Sequence, residues 1–439
     1  MLDLFLDFTA RDWSYIVGVI NAFVWILVFI YFRIKRPCWG LTHIILLLYT
    51  SIAVVSFHLF LYYPYASQMF NELKLFPYVY LFVMLMLGLY PILALERKKI
   101  YIIQRPRKML FYSVCSVLVL LSLYKIEDLF LDIGDGLLML FVDSDAGKEA
   151  YNKGAAIFTT DTSSGDLSKQ IDYMAVLANL SRTIIPVLWL YYFSESKRNN
   201  FLFYTLTICM LFFPLNAIAS GSRHALIVFV LELIAGFFII KNTLTYHMIR
   251  MAKKLLLFLT VILLIPFVLV SMSRSSGDME YTLYGMERYF AESFIHFNNH
   301  GLDANGIRNA DRTMTLFKNV VGLETAKNYP ERIYKYRNMT IDESLYISYV
   351  GDFTLDFGPI VSFIIFLFFS LFFRKRLFVR NGVLLFHQYV LLYILMKVNL
   401  GFFLYLFPDT FGNAELIALI ILYLLFKIDY NMKRCFIYN

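Results

Sequence analysis

Long apolar runs follow one another along almost the whole chain, and they limit its fold more than any other feature. Crossing about 30 Å of hydrocarbon at about 1.5 Å per residue takes roughly 20 residues of helix, the form that satisfies its backbone hydrogen bonds within one segment. Windows of this kind fall at 13–32, 39–63, 75–96, 109–125, 171–193, 201–219, 224–240, 255–271, 357–373, 383–407 and 412–428. With 59% hydrophobic and only 16% charged residues, the chain reads as an all-α polytopic integral membrane protein. The expectation is one transmembrane domain over 1–439, with about eleven transmembrane helices.

Lys and Arg in the connections set the orientation. Arg33, Lys35 and Arg36 follow the first window, Arg97, Lys98, Lys99, Arg105, Arg107 and Lys108 the third, and Lys197 and Arg198 the fifth. Lys241, Arg250, Lys253 and Lys254, then Arg374, Lys375, Arg376 and Arg380, and last Lys427, Lys433 and Arg434 fall on the same side. That side is cytoplasmic, so the topology reads N-out/C-in. Without a basic n-region or a small-residue cleavage site at its start, the first window reads as a retained helix. The net charge of +8 is thus a topology signal and gives no sign of a nucleic-acid partner. Cys38, Cys115, Cys209 and Cys435 all fall in helices or on the cytoplasmic side, so no disulfide framework is expected.

Two outer segments exceed simple turns. Residues 126–170 carry Glu127, Asp128, Asp132, Asp135, Asp143, Asp145, Glu149, Asp161 and Asp166 and read as an acidic outer loop. Residues 272–356 form the longest connection, and segments of that length are usually functional when they hold as many aromatics as this one does. No internal repeat is visible, which weighs against a transporter built from inverted repeats.

Chemistry is sought where charge stands without an obvious structural use. Gly221-Ser222-Arg223-His224 is a short hinge between two apolar runs, and a cation held there at a membrane surface calls for an anion. Arg274, Arg288, Arg308 and Arg312 come from the long outer segment; guanidinium groups grip phosphate oxygens in pairs and stay charged. The simpler alternative pairs them with carboxylates of the same segment, Asp278, Glu280, Glu287, Asp303 and Asp311. Residues 286–300 read as a helix ended by Gly301, with Arg288, Glu292, His296 and His300 each four apart on one face. A carboxylate beside a histidine suits a general base, the first orienting the second. His296 and His300 also have metal-ligand spacing, but no H-E-x-x-H or cysteine pair accompanies them, and no metal is expected. Asp352 and Asp356, four apart before Gly358-Pro359, could position a sugar hydroxyl or cap a helix. Arg182, Glu232 and Lys397 lie about 15 Å deep in their windows, and Glu232 is expected to pair with Arg182 or Lys397.

The Gly221-Ser222-Arg223 hinge, the large late outer loop and the return Tyr349-Val350-Gly351-Asp352-Phe353…Phe357-Gly358 resemble bacterial oligosaccharide repeat unit polymerases, the Wzy-type O-antigen polymerases. This resemblance implies a metal-independent glycosyltransferase of the bacterial inner membrane acting at its periplasmic face. Its substrate would be an undecaprenyl-pyrophosphate-linked oligosaccharide, no cofactor would be needed, and a chain-length regulator could bind it. By that likeness 126–170 and 272–356 are periplasmic loops, and Arg223, Arg274 and Arg288 would contact the diphosphate. His296 or Glu292 would be the base, while Arg312, His300 and Asp352 would complete the substrate site. An O-antigen ligase, which moves finished glycan to a lipid A core, combines the same features. A lipid-linked oligosaccharide flippase would instead favour charges around a central cavity, and a membrane acyltransferase is the weakest alternative.

Overall fold

The computed structural model describes residues 10–62, 70–131, 133, 173–195, 198–219, 222–274, 279–326, 329–343, 345–401 and 410–438. Each apolar window holds a helix over its described residues. The first three are α1 (Ala10–Lys35), α2 (Leu41–Tyr62) and α3 (Leu75–Leu95). α1 stops two residues short of Pro37, which cannot donate to the helical ladder. A short strand β1 (Ile102–Gln104) precedes α4 (Lys108–Ser122), and then come α5 (Tyr173–Ser194), α6 (Asn200–Ala219), α7 (Arg223–Ile240) and α8 (Tyr246–Arg274). The long connection that follows, read as outer from sequence, builds α9 (Met279–His300), α10 (Thr315–Val321) and α11 (Tyr329–Lys335). The chain closes with α12 (Ser348–Arg376), β2 (Val383–Leu385), α13 (Phe386–Leu400) and α14 (Thr410–Tyr438).

Among the described residues, seven helices are long and apolar enough to cross a membrane: α1, α2, α3, α5, α6, α7 and α12. This is the pattern of a multi-pass, all-α membrane protein. The other four expected windows are helical too. α4 and α13 have 15 residues each, which gives about 22 Å, short of the hydrocarbon thickness. α8 and α14 have 29 each. The long outer segment is bounded by helix ends at Arg274 and Ser348, slightly inside the 272–356 read from sequence. Of the acidic 126–170 segment, 126–131 is helical, and all the rest but residue 133 lies outside the described residues.

The chain divides into two compact units. The first takes residues 1–94, 279–374 and 398–409. Its core forms around Trp25, 1% exposed, whose ring meets Tyr49 edge-on at 5.4 Å, Phe82 at 5.0 Å and Phe294 at 6.3 Å. α1, α2, α3 and α9 are thereby tied to one aromatic cluster, the kind of contact that holds helices together when lipid removes the hydrophobic drive between them. α9 lies along α2, where Glu287 Oε2 meets His58 Nδ1 at 2.8 Å.

α12 of this unit is broken at Gly358, with φ 75° and ψ 163°, a conformation that only glycine takes readily. Pro359 supplies no N–H to the carbonyl of Leu355, four residues back. Arg308 N–H from the outer segment fills that vacancy at 2.8 Å, and the hydroxyl of Ser362 donates to Phe353 O at 2.7 Å. The kink is therefore also the anchor point for the loop.

The second unit takes residues 95–278, 375–397 and 410–439. α4, α5, α6, α7 and α8 pack in sequence order, and α14 joins α5. β1 and β2 pair in parallel, Ile102 opposite Val383; three-residue strands are too short for an alternating pattern to announce them. Phe386 lies 4.6 Å from Tyr191 and 4.5 Å from Phe426, joining α13 to α5 and α14.

Candidate functional site

The sequence placed four polar residues on one face of a helix, and α9 carries them so. α9 begins at Met279, seven residues before the expected start, and ends at His300 as expected. Arg288 Nε donates to Glu292 Oε2 at 2.5 Å, and the same oxygen lies 3.6 Å from His296 Nε2, an electrostatic contact rather than a hydrogen bond. The His296 and His300 rings stack at 6.3 Å, and His300 Nδ1 pairs with Thr340 Oγ1 at 3.1 Å. Burial deepens from Arg288 to His296. The side chains are 34% exposed at Arg288, 13% at Glu292 and 6% at His296.

Electrostatics divides the roles. Burial raises the Glu292 pKa, but His296 and Arg288 outweigh it and hold the carboxyl below its usual range, so Glu292 is an anion at neutral pH. Burial, with His296 adding to it, lowers His300 to about 4, so His300 is a neutral imidazole. Neither ring nitrogen of buried His296 has a hydrogen-bond partner among the described residues, whereas buried polar atoms are ordinarily paired. An imidazole that leans on an arginine-held carboxylate and has an unpaired ring nitrogen can take a proton from a hydroxyl brought against it. Among the described residues no group of three His, Cys, Asp or Glu could hold a metal ion.

Arg312 and Asp352, candidate substrate contacts by sequence, meet each other instead. Arg312 Nε donates to Asp352 Oδ1 at 2.6 Å, Nη1 to Glu343 Oε2 at 3.1 Å and Nη2 to Leu345 O at 3.1 Å. The fork is fully engaged and 1% exposed, so it has nothing to offer a ligand. Arg308, equally buried, contacts Glu343; burial, then Arg312, lowers its pKa to about 10. Asp356 accepts the backbone N–H groups of Arg312 and Thr313. Asp311 gathers Lys318, Lys335 at 2.7 Å and the hydroxyl of Tyr336 at 2.6 Å. Burial raises the Asp311 pKa, but these partners overcome it and bring it down to about 2. The pairing within the outer segment considered from sequence holds for Arg288, Arg308 and Arg312, although their partners are Glu292, Glu343 and Asp352 rather than the carboxylates named there.

Arg223 is the first residue of α7, directly after Ser222, whose hydroxyl accepts Ala225 N–H as the helix cap. The hinge is thus a helix boundary between α6 and α7. Arg274 is the last residue of α8. Both side chains lie outside the described residues.

Deep in the second unit, Lys397 Nζ lies 2.5 Å from Glu232 Oε1 and 2.6 Å from Glu415 Oε1, and Tyr393 donates to Glu232 at 3.2 Å. Of the two partners expected for Glu232, Lys397 is the one found. Arg182 turns to backbone, donating to Ser122 O at 3.1 Å and Tyr124 O at 3.1 Å, and to Asn179 Oδ1 at 3.0 Å. Those carbonyls at the end of α4 carry the negative end of the helix dipole. Glu415 and Glu343 escaped the sequence reading. Glu415 lies near the start of the last apolar window, and Glu343 sits in a stretch with no periodic pattern. No family model matches the chain, no curated protein matches it, and no solved structure matches it.

Proposed function

We propose that the protein polymerises undecaprenyl-pyrophosphate-linked oligosaccharide repeat units, transferring the growing glycan from its lipid diphosphate to the non-reducing end of a new lipid-linked unit. The reading places it in the bacterial inner membrane with its active face periplasmic. The observation that carries it is the row Arg288, Glu292, His296 on α9, which ends in a buried imidazole whose ring nitrogens have no hydrogen-bond partner among the described residues. An acceptor sugar hydroxyl bonds through its oxygen to the anomeric carbon of the growing chain. The bond from that carbon to the diphosphate oxygen breaks, and undecaprenyl pyrophosphate leaves with the electron pair. His296 takes the hydroxyl proton, Glu292 orients and stabilises the imidazolium, and Arg288 meets the diphosphate charge. Arg312 and Asp352 support the loop and take no part in binding.

Proteoliposomes supplied with one lipid-linked repeat unit and run on a gel test this. Wild type gives a ladder, and His296→Ala gives single units, with a loss of about 10²–10⁴-fold for a missing general base. A ladder formed by His296→Ala at the wild-type rate overturns the reading. Arg223→Lys, which keeps charge but loses the fork, tests the hinge cation separately. The buried Glu232–Lys397–Glu415 cluster favours a second reading, a lipid-linked oligosaccharide flippase, because ionisable groups inside spans often mark transport paths. Deleting the gene in its host separates these: single-unit surface glycan for a polymerase, units trapped on the cytoplasmic face for a flippase, free lipid-linked polymer for a ligase.

A further inference from the structure

α10 is built inside out. On a soluble surface a short amphipathic helix turns its apolar side inward and its charge to water. Here Lys318 points inward, to Asp311 and to Asn309 O at 3.1 Å, and the hydroxyl of Thr315 donates to Asp311 O at 2.6 Å. Phe317, Val320 and Val321 point outward, 48%, 80% and 72% exposed. Gly322, at φ 75°, closes the helix in a left-handed turn in which Leu323 N–H returns to Lys318 O at 2.9 Å. That turn keeps the exposed Leu323 beside the last turn of the helix, so the apolar surface is extended rather than ended.

This surface is tied to the exposed apolar side of α12. Upstream, exposed Ile307 lies against Gly358, its Cγ2 3.8 Å from where a Cβ would stand. Arg308 N–H binds Leu355 O at 2.8 Å, and Thr313 N–H binds Asp356 at 2.6 Å. α10 therefore starts two residues beyond a backbone clamp on the first turns of α12, a membrane-crossing helix whose Ile360, just past the kink, is 76% exposed.

We infer that α10 and Leu323 lie in the interfacial layer of the bilayer, with Phe317, Val320 and Val321 among the acyl chains, and that they moor the outer segment to the membrane beside α12. An apolar face of this kind with charge on the opposite side is the pattern of an interfacial helix. The inference rests on α12 crossing the membrane and is independent of the glycan chemistry proposed above.

The test is nitroxide accessibility in phosphatidylethanolamine–phosphatidylglycerol vesicles, with the four native cysteines replaced by alanine. Val320→Cys and Phe317→Cys carry the label, Ile360→Cys serves as the lipid standard and Arg337→Cys as the water standard. Oxygen collisions should dominate over those of a water-soluble nickel chelate at 317 and 320, as at 360, with the reverse at 337. Dominance of the nickel chelate at 320 overturns the inference. So does shielding from both reagents, which means that another segment or a second copy covers the face. If the cysteine-free protein does not fold, wild type is irradiated with a diazirine-bearing phospholipid and digested. Adducts within 314–323 support the inference, and labelling of 360–368 without them overturns it.

Discussion

Two arginines of the outer segment, both once candidates for gripping an anion, differ in what surrounds them. Arg312 has every arm of its guanidinium engaged with Asp352, Glu343 and Leu345 in a site closed to water. Arg288 binds one carboxylate at the more open end of α9. Arg312→Lys retains charge but strands at least one buried partner, and breaking a buried pair costs about 3–5 kcal/mol. It should sharply lower the thermal midpoint in detergent, whereas Arg288→Lys should barely move the midpoint and should lower polymer yield. Equal midpoint losses in the two variants contradict the division. Asp311 adds a pH dependence. Its folded pKa is depressed to about 2, so the stability it brings is complete above about pH 4 and fades as pH falls through the folded value. The midpoint difference between wild type and Asp311→Asn should accordingly be constant from pH 7 to 5 and shrink towards pH 2.

At the scale of elements, the break in α12 joins a long apolar helix to the loop before it. The carbonyl that Pro359 leaves without a donor is the one that holds Arg308 N–H, so the kink and the loop's attachment are one feature. Gly358→Ala places a Cβ on a backbone at φ 75° and ψ 163°, at about 1–3 kcal/mol. Chemical unfolding should show that loss, and proteolysis of the outer segment should speed up with it. A variant as stable and as protease-resistant as wild type means that the kink is not required. α9 shows how far spacing alone can be read. Side chains four apart on a helix share a face whatever the helix packs on, so the Arg288–Glu292–His296–His300 row was legible. That burial deepens from Arg288 to His296 depends on what packs against α9, α2 among it, and no local pattern carries that information.

At the scale of the molecule, the charges buried among the apolar helices bring separate helices together. Lys397 on α13 holds Glu232 of α7 and Glu415 of α14. Lys397→Met leaves two carboxylates facing each other without a cation, and the yield of monodisperse protein should fall steeply. Adding Glu232→Gln to Lys397→Met should recover part of it, since the two sites share one interaction; strictly additive losses would show that they do not. The sequence by itself determined the class of the protein, because hydropathy over roughly 20 residues decides partition into a bilayer without help from neighbours. It also determined helix positions and same-face residues, which follow from local geometry. Only the tertiary structure decided which charge meets which. An ion pair between helices joins residues as far apart in sequence as Glu232 and Lys397, 165 positions, and burial, which fixes whether an arginine is an anchor or a ligand contact, belongs to no single segment.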